Sequence, residues 1–350
     1  MEASPAGART ACTARARGTC SSTAPPRILA VPGPAGGEAA GHTWSAASLG
    51  AGHSCLLASD HRAFCGGSNG TGQLGLGESS YNTAEFAEIP LDATLAHASD
   101  WLAVSAGEGH SCGIRGASLP GSLWCWGMNA FYGLLGQGNT NHLEWPRQVP
   151  GAWRAIAAGA THNCGIRDTG ALACWGGGGG AWPNCSNGGT IVTSPQTIGA
   201  DTDWLQVVAG TSASCGIRDA AGTRRLACWG GQFWGTADPC AVNLFAETGW
   251  VDVSLGSGHV CGIRSAAGAR TLWCWGDNRK GQLGYVTDLD RIDVPTQVGA
   301  GTDWATVRAG NANTCATKLD ASTWCWGSYQ DGVVGDGLAW ADLPRSVPVP

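Results

Sequence analysis

One spacing recurs six times and leaves few folds open to this chain. A Trp is followed by a Gly six residues later and by a Cys eleven residues later, first at Trp44, Gly50 and Cys55. The same spacing starts again from Trp101, Trp153, Trp204, Trp250 and Trp304. A second Cys closes every copy, giving the pairs Cys55 and Cys65, Cys112 and Cys125, Cys164 and Cys174, Cys215 and Cys228, Cys261 and Cys274, and Cys315 and Cys325. The copies lie about fifty residues apart, a period of propeller blades or solenoid units. Within a copy, apolar residues alternate with small or polar ones, as at Val104, Ala106, Cys112, Ile114, Leu123 and Cys125. That is the period of a strand. Glycine, at 56 of 350 residues, is too frequent for long helices.

The paired cysteines fix a register. Folding the third copy about Asp168, Thr169 and Gly170 sets Cys164 opposite Cys174, Ile166 opposite Leu172 and Arg167 opposite Ala171. A three-residue loop with Gly at the positive-φ place is a common hairpin closure. In the second copy the extra residues fall in the loop, so Cys112 again faces Cys125 and Gly113 faces Trp124. Gly262 likewise faces Trp273, and a Gly opposite an indole leaves room for the ring. Directly opposed residues have Cα atoms about 4.5–5.5 Å apart, within reach of a disulfide. Six cross-strand disulfides inside the repeats are expected, with reduced core thiols as the alternative. Zinc ligands usually come as closely spaced cysteine pairs. None occurs here, so no metal is expected.

Each repeat is followed by a loop and a short Pro-containing or apolar segment: FAEIPL from Phe86, PRQVP from Pro146, PQTIGA from Pro195, NLFAE from Asn243, PTQVGA from Pro295 and PRSVPVP from Pro344. Placing this segment before each Trp strand and its two Cys strands makes a four-stranded unit. The fold class is therefore all-β, a β-propeller of four-stranded blades. Six blades are clear and a degenerate seventh is the alternative. The C-terminal strand is expected to complete the first blade and close the ring, since neither end shows the polar capping repeat of an open solenoid. Residues 44–350 then form one domain, and residues 1–43 a disordered or targeting segment. Cys12 and Cys20, followed by PRILAV, offer the remnant of a seventh hairpin.

The net charge is −6, with two lysines, Lys280 and Lys318. That balance argues against nucleic acid, whose phosphates need a basic stripe. No apolar run is long enough to span a membrane. The N-terminal stretch lacks the apolar core of a signal peptide. Facing cysteines nevertheless imply an oxidising compartment, so an extracellular or cell-surface location is expected, with the cytoplasm as the alternative.

Candidate chemistry is sparse. His53, His110, His162 and His259 stand two places before the first Cys of their repeats, and Ala213 and Asn313 take that place in the other two. A metal ring is one reading. The preferred one is an imidazole bonded to backbone inside its own blade. No catalytic triad, paired carboxylates or H-E-x-x-H pattern stands out, and the run Gly176 to Gly180 lacks the ending of a phosphate loop. No enzymatic activity and no cofactor are expected. Fourteen of the eighteen tryptophans recur by repeat and are assigned to packing. Trp145, Trp182, Trp234 and Trp340 lie between repeats, near Phe131, Tyr132, Phe233 and Tyr329. Large aromatics at a rim are typical anchors, which makes these eight the candidate surface for a protein or glycan partner. Cys185 and Cys240 occupy similar places after the third and fourth repeats and form a candidate inter-blade disulfide. Asn69-Gly70-Thr71 and Asn184-Cys185-Ser186 fit the glycosylation pattern.

The G-x-x-H-[ST]-C element at Gly50–Cys55 and Gly107–Cys112, with C-W-G-x-N-x-x-G-Q-L-G at Cys274–Gly284, resembles the repeats of the regulator of chromosome condensation family. The resemblance covers roughly residues 44–350. It implies a propeller, typically seven-bladed, and as an alternative function nucleotide exchange on a small GTPase. The paired cysteines resemble the secreted and receptor-ectodomain branches of that family, which imply a rigid binding disc. GQLG stands at Gly72–Gly75 and Gly281–Gly284, is altered at Gly133–Gly136 and Gly332–Gly335, and is lost in the third and fourth repeats. The Trp and Arg that precede the His in the plant UV-B photoreceptor's repeat are absent, which sets a light sensor aside.

Overall fold

The computed structural model describes residues 41–79, 82–94, 96–178, 189–230, 243–328 and 340–347. These residues form strands and turns only. Blade 1 contains β1 (Trp44–Leu49), β2 (His53–Ala58), β3 (Ala63–Gly67) and β4 (Thr83–Glu88). Blade 2 contains β5 (Trp101–Ala106), β6 (His110–Arg115), β7 (Gly121–Gly127) and the first half of β8 (Leu143–Ala158). The second half of β8 opens blade 3, continued by β9 (His162–Arg167), β10 (Leu172–Gly178) and β11 (Gly189–Thr197). Blade 4 is β12 (Trp204–Ala209), β13 (Ala213–Ala220), β14 (Thr223–Gly230) and β15 (Asn243–Thr248). Blade 5 is β16 (Trp250–Leu255), β17 (His259–Ala266), β18 (Ala269–Asp277) and β19 (Arg291–Gln297). Blade 6 is β20 (Trp304–Ala309), β21 (Asn313–Lys318), β22 (Thr323–Ser328) and β23 (Trp340–Val347). All pairings within the blades are antiparallel.

The cysteine register holds in every blade. Cys55 lies opposite Cys65, Cys112 opposite Cys125, Cys164 opposite Cys174, Cys215 opposite Cys228, Cys261 opposite Cys274 and Cys315 opposite Cys325. All six pairs are disulfide-bonded, with Cα atoms 4.0–4.2 Å apart. Cys185 and Cys240 lie outside the described residues, as do Cys12, Cys20 and any seventh hairpin.

Two expectations change. The Pro segment pairs with the second Cys strand before it, not with the Trp strand after it: β3 pairs β4, and β22 pairs β23. A strand of this kind carries no local signal of which neighbour it joins. Loop length does not choose the neighbour either: in blade 5 the chain needs residues 278–290 to return from the hairpin to this strand, and only 298–303 to go on to the next Trp. The C-terminal strand therefore completes blade 6, its own blade, and blade 1 already holds four strands. The glycines opposite indoles also make room for a different ring. A Cβ on Gly113, Gly165, Gly216 or Gly262 would strike the leading Trp of the same blade, Trp101, Trp153, Trp204 or Trp250, which reaches across from the inner strand.

The core lies between blades. Cys55, Leu57, Ala63 and Cys65 of blade 1 cluster with Trp101, Ala106 and Trp126 of blade 2. Four further clusters repeat the arrangement from blade 2 to blade 6. Each leading Trp from Trp101 to Trp304 is thus shared with the preceding blade, and burying an indole and a disulfide on one interface is what holds consecutive blades together. Among the described residues no cluster joins blade 6 to blade 1. The outward face of blade 6 carries Thr317 and Thr323 where the other blades carry buried Ile, Leu or Ala. On blade 1, Gly66 replaces the Trp that follows the second Cys, and Leu49 is 76% exposed.

Candidate functional site

The four histidines do not bond within their own blades. His53 Nε2 meets Ser111 Oγ of the next blade at 2.8 Å, His110 Nε2 meets Asn163 Oδ1 at 2.7 Å, His162 Nε2 meets Ser214 Oγ at 2.6 Å and His259 Nε2 meets Thr314 Oγ1 at 2.8 Å. The partner is always the residue before the first Cys of the following blade. Ser111 Oγ donates to the Gln73 carbonyl at 2.9 Å, and Thr314 Oγ1 to the Gln282 carbonyl at 2.8 Å. A hydroxyl has one proton to give. At His53 and His259 the hydroxyl therefore accepts from the imidazole, and at His110 the Asn163 amide oxygen accepts, which places the proton of these three rings on Nε2. Nδ1 is buried without a partner in all four. Burial pushes each imidazole down to about 4, with the neighbouring His110 adding to the effect at His53 and His162. These rings are neutral and tie consecutive blades together. No cluster of three or more metal-ligating side chains occurs among the described residues.

The loops after the second Cys strands of blades 1, 2 and 5 dock on the next blade. Asn69 donates to the Glu78 carbonyl at 2.9 Å and accepts from Leu74 N at 3.1 Å. Asn129 does the same with Asn139 and Leu135, and Asn278 accepts from Leu283 N at 3.0 Å. The Asn thus holds the loop in shape from inside. Asn69 is fully buried in this role, so its glycosylation pattern is structural; Asn184 lies outside the described residues. The shaped loop presents one carbonyl to the next blade. Gln73 O accepts from Trp126 Nε1 at 2.9 Å, Leu134 O from Trp175 Nε1 at 2.7 Å and Gln282 O from Trp326 Nε1 at 2.9 Å. The glycine closing GQLG is required by this approach: a Cβ on Gly75 or Gly284 would lie 2.8 or 2.6 Å from the indole nitrogen, at positive φ.

The rim aromatics divide. Trp145 is half-buried over Gly77 of blade 1, where any Cβ would fall inside its ring. Tyr132 is half-buried against Gly177 of blade 3. Phe131 projects into solvent at 77% exposure with a backbone φ of 70°. Its loop, Asn129 to Gly136, has one residue more than the loops at Asn69 and Asn278. A bulky side chain at positive φ is strained, and such positions concentrate at functional sites. Trp182, Trp234, Phe233 and Tyr329 lie outside the described residues. Trp340 opens β23 opposite Ser328, and its side chain is outside the described part.

Sequence reasoning missed the acceptors Ser111, Asn163, Ser214 and Thr314. It also missed Asp252. This buried carboxylate accepts from Gln206 of blade 4 at 3.0 Å, and from Val307 N and Arg308 of blade 6 at 2.9 and 3.0 Å. A signal for the acceptors existed. Where the His is lost, at Ala213, the residue before the next Cys is Val260.

Taken together, the fold and the docked loops define a β-propeller of interlocking repeats. The sequence model of the regulator of chromosome condensation (RCC1) repeat matches residues 120–166 and 271–317. Human WBSCR16 has a TM-score of 0.72 at 19% identity, over 89% of this chain and 83% of that one. Prp20p from Saccharomyces cerevisiae has a TM-score of 0.72 at 17% identity, over 87% and 76%. Yeast RCC1 (Prp20), in a structure with Kap60, has a TM-score of 0.70 at 17% identity, over 87% and 74%. Two segments of the chain thus match the RCC1 repeat, and its fold is that of these propellers. The matched segments begin on one blade's third strand and end on the next blade's second. The sequence repeat is therefore a seam between blades: residues 120–166 contain both Leu134 and Asn163, and residues 271–317 both Gln282 and Thr314.

Proposed function

We propose that the chain is a non-enzymatic binding scaffold that takes a protein partner at the loop face carrying Phe131, outside the cell or at its surface. The observation that carries this is Phe131 itself, a strained, solvent-facing phenyl set on a loop that is otherwise pinned by Asn129 and covered by Tyr132. A rigid, protruding aromatic loses little entropy on binding and is typical of interface anchors. The non-enzymatic reading is supported by the use of the repeated polar groups: the imidazoles, hydroxyls and amides are spent on bonds between blades. Six disulfides support an oxidising compartment. Trp145, Trp182, Trp234, Trp340, Phe233 and Tyr329 remain proposed members of the rim, and a glycan is the other ligand class proposed for it.

The second reading is nucleotide exchange on, or regulation of, a small GTPase in the cytoplasm. It is favoured by the likeness to Prp20p, whose structure was described together with its binding to Gsp1p and histones. Fully reduced cysteines in native protein would favour it over the surface scaffold. The test of the Phe131 face is affinity capture with the wild-type chain and with Phe131→Ala. A partner held by wild type should be lost from the variant by about tenfold or more in affinity, at unchanged melting temperature. A partner held equally by both removes this loop from the interface.

A further inference from the structure

The hairpin tip of each blade reaches the strand that opens the next one. His61 Nδ1 lies 3.0 Å from the Trp101 carbonyl. Arg270 donates from Nε and Nη2 to the carbonyls of Trp304 and Ala305 at 2.7 and 2.8 Å. Arg224 is the counterpart of Arg270 one blade earlier. It pairs with Asp219 across its hairpin as Arg270 pairs with Ser265. Its backbone is docked, since Gly249 N donates to Arg224 O at 2.9 Å. Its guanidinium makes no hydrogen bond or ion pair to a described residue.

The cause is a shortened link. Between the last strand of one blade and the Trp of the next, the chain runs Val298 to Asp303 before Trp304, and Ile198 to Asp203 before Trp204. Before Trp250 there is only Gly249. Two things go missing with those residues. One is bulk: two adjoining clefts of about 350 and 410 Å³ open at this boundary, both lined by Arg224 and Val251. The other is a carboxylate. The residue before the leading Trp is Asp100, Asp203 or Asp303 in blades 2, 4 and 6, and each pairs with the cation that stacks on that Trp: Arg115 at 2.7 Å, Arg218 at 2.8 Å and Lys318 at 3.1 Å. In blade 5 the cation is Arg264, stacked on Trp250 and Trp273, and Gly249 stands where its acid would be. Arg264 Nε turns instead to the Thr248 carbonyl at 3.0 Å. Thr248, Gly249 and Ser265 line the second cleft.

We propose that the clefts between blades 4 and 5 bind a carboxylate, seated at Arg224 and beside Arg264 in the place where blades 2, 4 and 6 use an aspartate of their own. The exposed Leu205 on the first cleft wall accommodates an apolar group next to the acid. A guanidinium fork matches a carboxylate in shape as well as charge. The clefts open at the hairpin-tip end of the blades, opposite the loop end that carries Phe131, so this site stands or falls apart from the loop face.

The test is a titration of the full chain, followed through the arginine side-chain Nε–H resonances. Three probes are compared at constant ionic strength: sodium acetate, the blocked peptide acetyl-Leu-Glu-amide and acetyl-Leu-Gln-amide. Saturable shifts at Arg224 and Arg264 with acetate and the Glu peptide, and none with the Gln peptide, are expected. Tighter binding of the peptide assigns the site to an acidic side chain of a polypeptide; tighter acetate assigns it to a small organic acid. Arg224→Gln should weaken binding by about tenfold without moving the melting temperature, and Arg270→Gln should leave binding unchanged. Equal shifts with chloride, no saturable shift with either acid, or wild-type binding by Arg224→Gln overturns the proposal.

Discussion

The seam between blades 5 and 6 and the seam between blades 4 and 5 use the same scaffold and opposite chemistry. In the first, His259 donates to Thr314, and Thr314 passes its own proton to the Gln282 carbonyl. The residue before Gly310 here is Ala309. In the second, all three places are apolar: Ala213, Val260 and Leu255. The Leu255 side chain occupies the space above Gly210 that the imidazole takes above Gly256. The remaining polar tie moves inward to Gln206, which donates to Asp252 at 3.0 Å and to the Val253 carbonyl at 3.2 Å. The lesson is that each seam is specified as a set. A buried donor without its acceptor costs more than an apolar plug of the same shape, so the members of a set change together.

The largest consequence is a pH dependence confined to the seams with imidazoles. Each buried ring titrates at about 4 when folded, against about 6.5 when unfolded. The folded chain therefore binds fewer protons than the unfolded chain between those values. Stability is fully present above pH 6.5 and falls as the pH drops toward 4. Each ring contributes about 3 kcal/mol to that loss, and four together are comparable with the whole stability of a typical domain. Acid titration of the melting temperature should show a steep fall below pH 6.5. Hydrogen exchange at mildly acid pH should open the amides around His53, His110, His162 and His259 before those at the seam of Ala213 and Val260. Uniform opening would break the distinction between the seams.

A graft sharpens the same comparison at smaller scale. Ala213→His alone forces an imidazole against Leu255 and leaves it facing Val260, at a cost of about 1–3 kcal/mol. Adding Leu255→Ala and Val260→Thr should recover all but about 1 kcal/mol of that loss, as judged by denaturant unfolding. The triple variant should also gain the acid sensitivity of its neighbours. If it is no more stable than the single variant, the residues are not acting as a set.

What the sequence showed and hid follows from distance along the chain. The hairpin between two cysteines spans ten to thirteen residues, and its pairing was read correctly from alternation alone. Contacts between blades connect positions such as His53 and Ser111, 58 residues apart. A single serine before a cysteine stands out only against the repeat where the His and its acceptor are lost together, at Ala213 and Val260. The Pro strand failed for the same reason: its composition marks an edge strand but not the edge it joins. Of the rim aromatics, the role of Trp145 as a cover for Gly77 was not legible, because the glycine belongs to the preceding blade. The loss of GQLG in the third and fourth repeats was legible, but its meaning depends on a carbonyl that only the fold brings to an indole.

That carbonyl allows the smallest and most selective test. Trp126 and Trp229 are equivalent, both fully buried, and both pack on the leading Trp of their blade at 5.8 and 5.7 Å. Trp126 Nε1 donates to the Gln73 carbonyl, whereas Trp229 Nε1 is buried with no partner among the described residues. Replacing either by Phe removes similar volume. Trp126→Phe also removes a hydrogen bond but leaves Gln73 O satisfied by Ser111, so the polar part of the loss is about 1 kcal/mol. Trp229→Phe removes a donor that buries its desolvation cost unrewarded, which offsets the lost volume. Trp126→Phe should therefore be the more destabilising of the two by about 1–3 kcal/mol in chemical denaturation. Equal losses would mean that the docked loop adds nothing to the seam beyond its bulk, and that the glycines of GQLG serve the turn alone.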